Sequence, residues 1–225
     1  MNKTIVSTNG LSYEGEQMKP IVITLEGGEG SGKSTILDLI REFLEGHDID
    51  FMVTREPGGV PIAEKIRNII LDVNHTEMDA RTEALLYAAA RRQHLVEKVM
   101  PAIEAGKVVI FDRFVDSSLV YQGFCRGIGV DEVYNLNLFA TEGFTPDITL
   151  YLDVDPEIGL QRVNSGDREV NRLDLENMAF HEKVREGYLM LAERNPNRYK
   201  MIDANKSLEE VYEQVLKVLN SSLKL

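Results

Sequence analysis

The chain has 225 residues, 43% of them apolar and 28% charged, which suits one globular domain with a substantial buried core. A formal charge of -12 excludes a general nucleic-acid binder, because neutralising a phosphate backbone requires a basic face; small phosphorylated ligands stay open, since they need only a local cluster of arginines and backbone amides. The single cysteine, Cys125, excludes an internal disulfide, the four histidines lack zinc-ligand spacing, and the apolar runs fall far short of the roughly 20 residues that cross a bilayer. With no basic apolar leader, the chain reads as soluble and cytoplasmic.

Residues Met1 to Gln17 are polar and follow neither hydrophobic period, so they read as a disordered N-terminal extension, with Met18 a candidate natural start. Residues 18–225 then form a single predicted domain in which short apolar runs alternate with helical periods. That alternation predicts a three-layer α/β/α fold on a five-stranded parallel sheet, with strands near Ile21–Glu26, Asp50–Thr54, Lys107–Asp112, Ile148–Asp153 and Tyr199–Ile202.

The first strand runs into Gly27-Gly28-Glu29-Gly30-Ser31-Gly32-Lys33-Ser34, a match to GxxxxGK[ST], and the helix after it puts Ile36, Leu37, Ile40 and Leu44 on one face. Glycine-rich turns also join strands to helices for structural reasons alone. Here the strand before and the helix after favour a phosphate cradle, in which backbone amides turn inward, Lys33 reaches the β- and γ-phosphates, and the Ser34 hydroxyl is placed for Mg²⁺. Glu29 puts an acid where phosphates come close, which costs electrostatic energy unless the carboxylate serves a purpose.

Helices follow over Ile62–Leu71 and Thr82–Ile103; on the second, Tyr87 and Arg91 stand four apart and share a face. The buried strand Lys107–Asp112 ends in a carboxylate, the place of a Walker B acid, although an aspartate there alone would more often be a turn or cap residue. Further helices are predicted over Glu132–Ala140, Glu157–Val163, His181–Glu193 and Leu208–Leu219. Between them, residues Asn164–Asp174 carry Gly166, Arg168 and Arg172 without an apolar period and read as a flap. A guanine-reading signature is absent, since Asn205-Lys206-Ser207-Leu208 lacks its aspartate, and no LSGGQ segment occurs.

Thr54-Arg55-Glu56-Pro57-Gly58-Gly59, Asp112-Arg113-Phe114 and Tyr121-Gln122-Gly123, together with the glycine-rich loop, resemble the bacterial thymidylate kinase family over roughly Lys19 to Leu219. The resemblance implies a P-loop NTPase fold, transfer of the γ-phosphoryl group from ATP to dTMP with Mg²⁺, and a helix-packed homodimer. It places ATP on Gly27 through Thr35, with the adenine near Arg162 and Ala204, and the metal on Ser34 and Asp112. It places the acceptor phosphate among Arg55, Arg67 and Arg113, where forked guanidinium contacts suit a dianion. Tyr87, Arg91, Ser118 and Gln122 match the thymine site, Tyr121 matches a tyrosine lying against the deoxyribose, and Glu29 matches an acid facing the sugar or the arginines.

Two positions depart from the family pattern. Phe114 replaces a tyrosine, and Gly30 stands where one subgroup carries an arginine, so the resemblance assigns the catalytic guanidinium to Arg168 or Arg172 of the flap. An acceptor phosphate with a second pKa of roughly 6 is already largely a dianion, so Asp112 is cast as a metal or water holder and not as a base. Two alternatives stand beside this reading: a kinase for another nucleoside or deoxynucleoside monophosphate on the same scaffold, and a switch that binds nucleotide without transferring phosphate.

Overall fold

The structure, a computed structural model, describes residues 20–165 and 176–225. The N-terminal extension and most of the expected flap, Arg168 and Arg172 included, lie outside the described residues.

Five strands, β1 (Val22–Glu26), β2 (Phe51–Arg55), β3 (Val108–Asp112), β4 (Ile148–Asp153) and β5 (Tyr199–Asp203), form one parallel sheet in the order β2-β3-β1-β4-β5. Each predicted strand is present with its ends within one residue of the expected ones. The three central strands are near-continuous buried runs because helices cover both faces of the sheet, whereas the edge strands β2 and β5 are partly exposed. The chain leaves β1 toward one side of the sheet and later returns to pair β4 on the other. The crevice beyond β1's carboxyl end is therefore the place where this class of sheet binds ligands.

On one face, α1 (Lys33–Gly46) and α9 (Leu208–Leu223) pack on Ile23, Leu25, Ile110 and Leu150. Helix α9 presents Val211, Val215, Leu219 and Leu223 at spacings of four, and its start is fixed by a reciprocal cap between Ser207 and Glu210. On the other face lie α2 (Pro61–Leu71), α3 (Ala80–His94), α6 (Val130–Thr141) and α8 (Met178–Arg194). Here Tyr151 stacks on Tyr188 within one apolar cluster, and Leu95, Val99 and Phe111 belong to another.

The predicted helix over Thr82–Ile103 is resolved into three parts. It starts at Ala80, where Asp79 caps two backbone amides, and after His94 widens into a π-helical turn, Leu95–Val99, before α4 (Met100–Glu104). Pro101 lies in the first turn of α4, where its missing N–H would break an α-helical ladder, and the wider turn precedes it directly. A second wide turn, Leu119–Cys125, extends the short α5 (Val115–Ser118) and was not expected as a helix. Its residues Leu119 to Gly123 are all buried, so no polar face marks it in the sequence.

Candidate active site

A cavity of about 590 Å³ opens at the carboxyl ends of β1, β2 and β3. The glycine-rich loop forms one wall, and Arg55, Arg67, Tyr87, Arg91, Arg113 and Gln122 stand on the others.

The loop lies backbone to backbone against α7 (Pro156–Asn164). Gly30 has φ +68°, and a Cβ there would stand 1.9 Å from the Gly159 carbonyl oxygen; a Cβ on Gly159 would stand 2.3 Å from the Glu29 carbonyl oxygen. This contact explains why position 30 carries no side chain. In this packing, an arginine there has nowhere to go. Lys33 folds back over the loop and donates to Gly27 O at 3.1 Å, Gly28 O at 3.0 Å and Ser31 Oγ at 3.2 Å. Burial, and then the charge of Arg113, push its ammonium down to about 8. Ser34 and Thr35 line the same cavity, and Arg162 reaches Ala204 O at 3.0 Å, so these two expected adenine-side residues meet next to the loop.

Asp112 ends β3 with Oδ1 buried and without a hydrogen-bond partner among the described residues, and it shares the cavity with Ser34. One carboxylate and one hydroxyl fit Mg²⁺, which keeps several waters and takes its other oxygens from phosphates. No cluster of three histidine, cysteine or acidic residues able to hold a metal occurs among the described residues, and such an ion does not need one.

On the opposite side, Arg55 forms a fork to Glu64, 3.0 Å to each carboxylate oxygen, and donates to Pro57 O at 3.1 Å; Arg67 donates to the same carbonyl at 2.9 Å. Partial burial works against charge on Glu64, but the Gly59 amide at 2.7 Å and Arg55 outweigh it and hold its carboxyl below the usual range. The Glu56–Pro57 peptide is cis. Arg113 adopts φ +65°, rare for a side-chain-bearing residue, and donates to Glu29 at 2.9 Å while lying over the Tyr121 ring, 5.3 Å from its centre. Tyr121 also donates to Glu29, at 3.2 Å.

Three carboxylates organise this site without having been singled out in the sequence. Glu26, the last residue of β1, is fully buried and accepts from the Phe114 amide at 2.7 Å, Ser117 Oγ at 2.6 Å and Tyr188 Oη at 2.9 Å, so it fixes the turn that follows Arg113. Burial, and then the nearby Asp116, push its carboxyl up to about 7. Glu56 accepts from Arg91 Nε at 2.6 Å and pairs with His94 Nδ1 at 2.9 Å, while His94 Nε2 meets Thr54 Oγ1 at 2.7 Å. Glu83 accepts from Gln122 Nε2 at 2.7 Å.

Arg91 is buried deeply. Besides Glu56 it contacts Asn137 and donates to Phe114 O and Ser118 Oγ at 3.2 Å each, with Tyr87 and Gln122 in the same cavity wall. The structure thus brings the expected site residues that it describes to this cavity, except Gly27, Gly28 and Ala204, which stand behind its wall as partners of Lys33 and Arg162.

A glycine-rich loop at the central strand, facing an arginine cluster and an aromatic compartment, defines a P-loop phosphotransferase with a second binding site for a phosphorylated acceptor. Residues 25–215 match the family model described as thymidylate kinase. The thymidylate kinase of Clostridium novyi (strain NT) is 59% identical over 198 residues, which is 88% of this chain and 97% of the relative; that of Halalkalibacterium halodurans is 56% identical over 208 residues, 92% and 99% respectively. Among solved structures, thymidylate kinase from Ehrlichia chaffeensis superimposes with a TM-score of 0.70 at 32% identity, covering 89% of this chain and 98% of that one. The chain belongs to the thymidylate kinase family.

Proposed function

We propose that the chain transfers the γ-phosphoryl group of ATP to dTMP, giving ADP and dTDP. The observation that carries this reading is the cavity itself, in which Lys33 and its loop face Arg55, Arg67 and Arg113 across one space. Neither alternative acceptors nor a non-catalytic switch is favoured by the family, and a switch has no use for the arginine cluster.

Lys33 exchanges its loop carbonyls for the β- and γ-phosphates, and a lysine already bent into the loop is pre-placed for that exchange. Arg55, Arg67 and Arg113 hold the acceptor phosphate in line with it, and Glu64 keeps Arg55 oriented before the acceptor arrives. Mg²⁺ bound by Ser34 and Asp112 would neutralise charge developing on the phosphates. Tyr87 stacks on the base, Arg91, Ser118 and Gln122 read its polar edge, and Tyr121 with Glu29 lies along the sugar. The guanidinium for the transferring group comes from Arg168 or Arg172, and the N-terminal extension takes no part.

The working form is a homodimer in the cytoplasm. In support, α2, α3 and α6 lie side by side and expose Ile62, Ile69, Leu85, Tyr134, Leu138 and Phe139, with Phe139 87% exposed. No described helix is long and apolar enough to cross a membrane.

A coupled ADP-release assay with dTMP, dUMP, dCMP and UMP tests the reaction. Turnover with dTMP well above the others is expected; efficient turnover of another acceptor with none on dTMP would overturn the proposal.

A further inference from the structure

We infer that Glu83 is a positioning residue for base choice: it holds the Gln122 side-chain amide so that its oxygen, and not its nitrogen, faces the base compartment. This rests on the dTMP reading above.

Glu83 lies in the first turn of α3 and is 1% exposed, as is Gln122. A carboxylate only accepts hydrogen bonds. The group 2.7 Å from Glu83 Oε1 is therefore the Gln122 NH₂, which fixes the orientation of the amide. Its oxygen makes no hydrogen bond among the described residues, and Gln122 lines the cavity. Arg126 follows Gln122 at four residues, and its Nε stands 3.7 Å from the same Glu83 oxygen. The Glu83 oxygen that accepts from Gln122 thus also has a guanidinium beside it, so this corner of the compartment offers it two donors. Arg126 is itself held by Glu176 at 2.7 Å and lies over the Phe180 ring.

An acid in a helix's first turn has an ordinary role in offsetting the helix dipole, and there it usually stays hydrated. Glu83 is buried and engaged by two side chains from the 119–126 segment, which that role does not require.

Thymine and uracil present an N3–H donor between two carbonyls, whereas cytosine presents a bare N3 acceptor beside an amino group. A Gln122 oxygen pairs with the first pattern and meets the cytosine N3 lone pair head on. An unrestrained glutamine would rotate its amide and serve either base. Rotation here would set the Gln122 oxygen against the Glu83 carboxylate, acceptor against acceptor, so the cytosine arrangement leaves buried polar groups unpaired. Such mismatches commonly cost about ten- to a hundred-fold in selection.

The test is kcat/KM for dTMP, dUMP and dCMP in the wild type and in Glu83→Gln, which keeps the shape but lets position 83 donate or accept. We expect the dTMP:dCMP ratio to fall about ten-fold or more. The dTMP:dUMP ratio should hold, because those bases share the imide edge; a general loss of packing would not spare it. A dTMP:dCMP ratio within two-fold of wild type in a folded variant overturns the inference and leaves the dTMP reading intact. A wild type that turns over another acceptor and not dTMP overturns both. Should Glu83→Gln fail to fold, the Gln122 side-chain ¹⁵NH₂ resonance of the wild type, assigned by its loss in Gln122→Ala, decides. Little change on saturation with dTMP supports the inference, and a large shift, with the NH₂ turned to the base, overturns it.

Discussion

At the scale of single residues, the site depends on buried carboxylates whose partners are remote in sequence. Glu26 meets Phe114 across 88 residues, Gln122 meets Glu83 across 39, and Arg91 meets Glu56 across 35. That separation is why they were not legible: the glycine-rich loop and the arginines of TREPGG and DRF stand in local strings, while an isolated glutamate acquires its role only when the sheet assembles. For Glu26, a folded-state pKa of about 7 against the ordinary 4.5 means that the folded protein binds more protons than the unfolded chain between those values. Stability from this group is therefore present in its protonated form and declines as pH rises from 4.5 through about 7. The groups facing it include Asp116, Arg113, Arg198, Lys33, Tyr199, Ser117 and Tyr188. Glu26→Gln keeps an acceptor and a donor for these hydroxyls without the charge. Urea unfolding at pH 5 and pH 8 should show the wild type losing on the order of 2 kcal/mol relative to the variant over that interval. Parallel pH profiles for the two proteins would exclude Glu26 as the source.

At the scale of elements, the strands were readable because each carries its own signal, a short apolar run bounded by turn residues. The two wide helical turns were not, since one lies beside a proline within a longer helical period and the other is buried all round. Nor could periodicity reveal that α7 rests its backbone on the P-loop. A methyl group on Gly159 would stand 2.3 Å from Glu29 O, with no flexible side chain able to yield, so α7 or the loop must move. Gly159→Ala is expected to lower the melting temperature by several degrees and to raise KM for ATP more than KM for dTMP, because the displaced wall belongs to the donor side. Equal effects on the two substrates would show that α7 does not set the loop's position.

At the scale of the molecule, the apolar face of α2, α3 and α6 is where the proposed dimer is tested. Phe139, 87% exposed, and Leu85, 57% exposed, are large apolar groups left mostly uncovered in the single chain. If the proposed dimer forms through this face, Phe139→Glu should halve the mass read by light scattering during gel filtration; a dimeric wild type with an unchanged mass in the variant would place the contact elsewhere, and a monomeric wild type would overturn the dimer. This face was invisible to a reading by motif, which implied a dimer only through family resemblance. One further consequence comes from Glu56, whose two oxygens are divided between Arg91 and His94. The same residue belongs to the loop that carries Arg55 and Pro57, so the proposed grip on the acceptor's phosphate and the proposed wall beside its base share one joint. On the proposed assignments, fidelity and alignment are inherited together: a lineage that relaxes base preference by altering Arg91 would also disturb the bed proposed for the phosphate, and new acceptors would be reached more readily by changing residues off this joint.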